Sequence, residues 1–104
     1  MTTVRCKLTI AFPPDLEGDI VECLLALPEH VSGFSVVSAE GHGHGFARAS
    51  VRERVRGRVA RKLLYIILEQ EQLPAVLDSL RNTVRNPSVA YWVEPVLDFG
   101  RLTS

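Results

Sequence analysis

Cysteine is scarce in this 104-residue chain: Cys6 and Cys23 are the whole supply, and their spacing is not that of a metal-binding pair. That argues against a disulfide-stapled secreted scaffold and against a cysteine-based zinc site, and leaves two reduced thiols in a core. Net charge is absent as well, because twelve Lys and Arg balance twelve Asp and Glu. A chain with no positive excess has no global attraction to nucleic acid or to an anionic membrane. Met1-Thr2-Thr3-Val4-Arg5 contains no long apolar run, so neither a signal peptide nor direct membrane insertion is expected, and the expected location is the cytoplasm. Catalytic sets are missing too. No Ser-His-Asp or Cys-His arrangement is apparent, since both cysteines fall on apolar faces and His42 and His44 crowd into one segment. Glu40 and Glu53 flank that segment, but nothing separates an acid-base role from pairing with nearby arginines. A non-enzymatic protein is expected.

The length suits one domain, 1–104, and 46% apolar with 23% charged residues is ordinary globular composition. Val4, Cys6, Leu8, Ile10 and Phe12 alternate with polar or small neighbours, which predicts a strand with one face in the core. Pro13-Pro14 ends it. Leu16, Ile20, Cys23, Leu24 and Leu27 then recur at helical spacing until Pro28. A second strand is expected over about 33–40, where Phe34 and Val36 face opposite to Val37 and Ala39 and the phase change suggests a bulge. Residues 41–58 have no clear period and predict a long flexible loop. The strongest strand signal follows over about 59–68, then a helix with Leu73, Val76, Leu77, Leu80 and Val84 on one stripe, then a last strand over about 88–93 with Pro95 confining its end to a sheet edge.

The order βαββαβ predicts an α+β, ferredoxin-like fold: a four-stranded antiparallel sheet, two helices on one face, and the long loop between strands 2 and 3. The uncovered face of such a sheet should be polar in a monomer. Here it is not, because the third strand carries Leu64, Ile66 and Leu68 on one side and Leu63, Tyr65 and Ile67 on the other. Each such side chain is worth about 1.5–3 kcal/mol when buried. Leu63, Tyr65 and Ile67 are therefore the expected oligomer interface. The competing explanation is a C-terminal tail, Val96 to Leu102, that folds over them.

Charge is unevenly placed. Arg48, Arg52, Arg54, Arg56, Arg58, Arg61 and Lys62 are opposed only by Glu53, so this stretch is +6 and the rest of the chain −6. Guanidinium groups suit bidentate contact with carboxylate or phosphate. Arg48 and Arg58 are candidate anion ligands, and Arg52, Arg54 and Arg56 a partner-docking segment. A solvated loop pairing with acids elsewhere accounts for the same charges. Just before it stands Gly41-His42-Gly43-His44-Gly45. Alternate glycines permit positive φ and close approach of a ligand to the backbone, where consecutive N–H groups form an anion nest. The spacing and context are not those of the dinucleotide fingerprint. His42 and His44 are also candidate ligands of a divalent transition metal, a reading ranked behind the anion because two histidines fall short of the usual three or four ligands unless copies of the chain supply more. His30, beside Glu29, is expected in a surface turn. An RNA-recognition domain shares the strand order, but Val59-Ala60-Arg61-Lys62-Leu63-Leu64-Tyr65 lacks the basic-glycine-aromatic motif, so nucleic acid is not an expected partner.

Gly33-Phe34, the Ala39-Glu40-Gly41-His42-Gly43 turn, the arginine-rich stretch to Arg58 and the closing Tyr91-Trp92-Val93-Glu94-Pro95-Val96 together resemble P-II-type signalling proteins. Within that superfamily, which includes the CutA-type proteins, the chain is similar to an uncharacterised bacterial branch. The resemblance spans the chain in element order and these stretches in residues. It implies a homotrimer whose long loop reaches a partner protein, with a small effector such as an adenine nucleotide held between subunits at the loop base, near Gly41, His42 and Gly43. Two departures stand out. The glycine- and lysine-containing triphosphate loop of P-II proteins is replaced by the short Arg85-Asn86-Pro87-Ser88, and residues 41–58 contain no tyrosine. The same resemblance implies a link to metal tolerance or efflux, with a membrane transporter or a regulatory protein as partner, and supports the metal alternative at His42 and His44.

Overall fold

The computed structural model describes residues 4–43 and 58–103. The alternation at the start of the chain becomes strand β1, Arg5–Phe12, which places Cys6, Leu8, Ile10 and Phe12 in the core. Pro13 holds an extended backbone, and Pro14 opens a short 3₁₀ turn that needs no N–H at its first position. Helix α1, Glu17–Leu25, follows, with Glu17 and Asp19 in the first turn where the helix dipole favours negative charge. It buries Ile20 and Leu24 and stops ahead of Pro28. Strand β2, Ser35–His42, and strand β3, Arg58–Glu69, form the middle hairpin. A 3₁₀ turn over Gln70–Gln72 leads into helix α2, Leu73–Thr83, which buries Val76 and Leu80. Val84 leaves the helix in extended backbone, and strand β4, Ala90–Val96, completes the order.

Among the described residues the strands make one antiparallel sheet in the order β2-β3-β1-β4, with the two helices packed on one face. This is the expected ferredoxin-like arrangement. The two most buried strands, β1 and β3, are neighbours at its centre. Leu8 lies opposite Ile66, and Ile10 opposite Leu64, all four fully or almost fully buried beneath the helices. Both cysteines are free, and burial pushes the Cys6 thiol above its ordinary range.

Several boundaries differ from those the sequence predicts. Strand β2 begins at Ser35 and runs through Gly41 and His42, and its pairing with β3 is continuous from Ser35↔Tyr65 to His42↔Arg58. The phase change at Val36-Val37 is therefore no bulge. Those two side chains take opposite faces of an edge strand whose helix side is only partly covered. Gly41, His42 and Arg58, expected in the loop, belong to strands; residues 44–57 lie outside the described residues. Strand β4 continues through Pro95, which an edge strand tolerates because its outer N–H groups have no ladder to serve. The tail reaches only the end of β3, where Phe99 lines a hollow with Ile67, and leaves Leu63 and Tyr65 to other cover. Leu97 and Leu102 are fully exposed and Phe99 is about half exposed, near Arg5.

Burial sets the scale of the first prediction. Ile66→Ala should cost about 2–5 kcal/mol through lost transfer energy and a residual cavity, whereas Leu25→Ala, at a position 66% exposed, should stay within about 0.5 kcal/mol. Denaturant unfolding of both variants checks the pair, and equal losses would contradict this core.

Candidate functional site

Two regions hold the residues with chemistry to offer: the end of the β2–β3 hairpin and the sheet face turned away from the helices. At the hairpin end the two-residue period of β2 separates neighbours. Val36, Ser38, Glu40 and His42 share the helix side, while Ser35, Val37, Ala39 and Gly41 share the open side. Gly41 and His42 are thus not one cluster. Gly41, opposite Val59, leaves bare backbone on the open face, and His42, opposite Arg58, stands on the other. His42 Nε2 lies 3.7 Å from Glu40 Oε2, with both side chains more than half exposed. Gly43 has φ 130°, so the glycine is required where the chain leaves the strand. His44, Gly45, Arg48, Arg52, Arg54 and Arg56 lie outside the described residues, and Arg58 is placed only by its register. Among the described residues no group of three His, Cys, Asp or Glu side chains is arranged to hold a metal ion.

The cation-rich stretch does not behave as one unit. Arg61 and Lys62 are consecutive strand residues and point to opposite faces. Lys62 turns to the helix side, where its Nζ meets Ser38 Oγ at 3.1 Å and Glu17 Oε1 at 3.5 Å. Arg61 is only 8% exposed, and its Nη2 donates to the Ser88 carbonyl at 2.8 Å. Ser88 is itself fixed by Asn86, whose Oδ1 accepts from the Ser88 N–H at 2.9 Å and from its hydroxyl at 2.7 Å. Burial pulls the Arg61 guanidinium below its ordinary range. One buried arginine thus ties the start of β3 to the α2–β4 turn.

The open face is apolar at its centre. Thr9 lies between Tyr65 and Trp92 in register, with Leu63 and Ile67 beside Tyr65 on β3 and Val37 on β2. Leu63, Tyr65 and Ile67 are half-buried, while Val37 and Trp92 are 41% and 43% exposed. Lys7 Nζ sits 4.3 Å from the Tyr65 ring centroid. Thr9 is fully buried, and its Oγ1 has no hydrogen-bond partner among the described residues. Sequence patterning marks Leu63, Tyr65 and Ile67 for this face but gives no sign of Thr9 or Arg61, since a threonine on a polar-alternating face and an arginine in a basic run both look solvated.

A family model of DUF3240, described as a protein of unknown function, matches residues 2–103. The chain belongs to that family. A DUF3240 protein from Shewanella baltica OS155 has a crystal structure similar to this chain, with a TM-score of 0.77, 25% identity, and 99% of this chain and 100% of that one covered. CPII, a nitrogen regulatory PII-like protein from Thiomonas intermedia K12 bound to ADP, AMP and bicarbonate, gives a TM-score of 0.70 at 17% identity over 94% of each chain. Arabidopsis thaliana PII bound to citrate gives 0.73 at 17% identity, over 97% of this chain and 82% of that one. No curated protein matches. At 17% identity the likeness to these two P-II-type structures is one of fold.

The Arg61 tie has a measurable consequence. Arg61→Ala removes the buried donor to Ser88 and should destabilise by about 1–3 kcal/mol, while Lys62→Ala breaks partly exposed contacts and should cost less than about 1 kcal/mol. Equal losses for the two variants in denaturant unfolding would remove the tie.

Proposed function

We propose that this DUF3240 chain is a non-enzymatic regulatory protein of the P-II-like type, working as a homotrimer. Its open sheet faces turn toward one another. A small anionic effector, an adenine nucleotide or a simpler anion, is held between subunits at the hairpin end by the main chain of Gly41, His42 and Gly43 with His44, Gly45, Arg48 and Arg58. Arg52, Arg54 and Arg56 meet a partner, either a regulatory protein or a membrane transporter.

The open face carries this reading. An isolated protomer would leave Val37 and Trp92 partly wet and Leu63, Tyr65 and Ile67 half covered, and burying the remainder would gain a part of the about 1.5–3 kcal/mol that full burial of such a side chain is worth. The chemistry of the effector is supported from two sides. The cation-rich stretch favours anions, and the two P-II-like structures of the same fold hold ADP, AMP and bicarbonate in one case and citrate in the other. A helix long and apolar enough to cross a membrane is absent among the described residues, which fits a partner reached by docking.

Native mass spectrometry should report three copies for the unmodified chain, and Tyr65→Glu with Ile67→Glu should reduce the count to one. A single copy at dilute concentration in the unmodified chain, or an unchanged count in the variant, would overturn the assembly. A thermal-shift panel of ATP, ADP, AMP, cyclic AMP, citrate and bicarbonate should raise the melting temperature for at least one anion. Silence across the panel ends the effector reading. The proximity of His42 to Glu40 favours a second reading, a metal-responsive protein linked to metal tolerance or efflux. Zinc, copper, cobalt or nickel should then bind and be lost in His42→Ala/His44→Ala, and unchanged affinity rules it out.

A further inference from the structure

The helices leave the helix side of edge strand β4 partly open, and Tyr91 and Val93 are 47% and 38% exposed there. Beside Tyr91 lies a pocket of about 230 Å³. Its polar side chains are Arg81, Asn86 and Tyr91, and the rest of its lining is aliphatic, the buried Ile10, Ile20 and Leu80 included.

What the polar side chains have left to offer is donors. Arg81 Nη2 donates to the Tyr91 hydroxyl at 3.1 Å, so that oxygen accepts and its own proton is directed elsewhere. Asn86 Oδ1 is taken twice by Ser88, from the N–H at 2.9 Å and the hydroxyl at 2.7 Å, which leaves the Asn86 amide N–H groups. The carboxylate paired with Arg81 is Asp78, 3.6 Å from Nη1 across two well-exposed side chains, a contact that solvent weakens. The guanidinium carbon lies 5.8 Å from the Tyr91 ring centroid, which draws the charge off α2 towards β4. An anion meeting it there sits beside the strand rather than on the negative end of the helix.

Donors around an aliphatic cavity call for an acceptor that carries an apolar body. We infer that this pocket binds a small apolar monocarboxylate, its carboxylate held by Arg81 and the Tyr91 hydroxyl and its body filling the cavity. An aliphatic cavity of roughly 150 Å³ is enough to take benzene, so this one admits an aromatic or short-chain acid. A nucleotide or citrate would instead press charge and hydroxyls against walls that give them no partner. The site is complete within one protomer and uses none of the residues proposed to hold the effector at the hairpin end.

Hexanoate and benzoate, titrated into the full-length isotope-labelled chain, should shift the amide signals of Val84, Asn86 and Tyr91 saturably. Acetate has the charge without the body, and hexanol the body without the charge; each should bind about tenfold more weakly. Arg81→Gln should weaken hexanoate by about tenfold and leave hexanol unchanged, which separates loss of the carboxylate contact from collapse of the pocket. Tyr91→Phe should weaken hexanoate by a smaller factor. No saturable shift at those positions, equal affinity for hexanoate and hexanol, or unchanged hexanoate affinity in Arg81→Gln would overturn the site. Shifts confined to Gly41–Gly43 would overturn it too, because the acid would then sit at the hairpin end.

Discussion

Strand β3 lies between β1 and β2 and is apolar on both of its faces, and most of the molecule follows from how each face is covered. Beneath the helices Leu64, Ile66 and Leu68 complete the core with Leu8, Ile10 and the buried stripes of α1 and α2. Above, Leu63, Tyr65 and Ile67 lie beside Thr9, Lys7, Val37 and Trp92, with Phe99 sharing a hollow with Ile67 at the strand's end. A hydroxyl at the centre of that face, fully buried and without a partner among the described residues, carries a desolvation cost of about 1–3 kcal/mol. An apolar ring around a polar centre is a surface with a definite register, and registers matter where copies of a chain must meet in one way.

The hairpin end is organised by the same strands. Because β2 keeps its two-residue period through Gly41 and His42, backbone without a side chain faces the open side and imidazole faces the other. A ligand approaching along the open face meets the main chain at Gly41. One approaching from the helix side meets Glu40 and His42. The first approach suits an anion received by N–H groups, the second a cation received by carboxylate and imidazole. The two functional readings are therefore geometrically distinct rather than rival descriptions of one site.

Much of this was legible in the residues. Period two in β1, period 3.6 in the helices, and proline at the helix starts and beyond their ends fixed element order, and that order fixed the ferredoxin-like topology. The uncovered face followed from a single strand, because Leu63, Tyr65 and Ile67 cannot share a side with Leu64 and Ile66. Boundaries were less legible where an edge strand meets a loop. Gly41 and His42 have low strand propensity, and only pairing with Val59 and Arg58 makes them strand. Arg61 and Thr9 were opaque for a different reason. Residue type predicts exposure for both, and what buries them is the register of a neighbouring strand and a turn distant in sequence, which local pattern does not carry.

Arg61 and Lys62 also change what the basic stretch means. Charge counting joins them to Arg48, Arg52, Arg54 and Arg56, yet strand alternation sends one to the Ser88 carbonyl and the other to Ser38 and Glu17. Both are used in holding the hairpin to the rest of the fold. The positive charge left for a ligand or partner is that of Arg58 and the arginines before it, set on a hairpin whose base is held on the sheet side by a buried guanidinium. Arg61 joins the base of that hairpin to the α2–β4 turn through the Ser88 carbonyl. The pocket on the helix side of β4 is lined by Asn86, the residue that fixes Ser88.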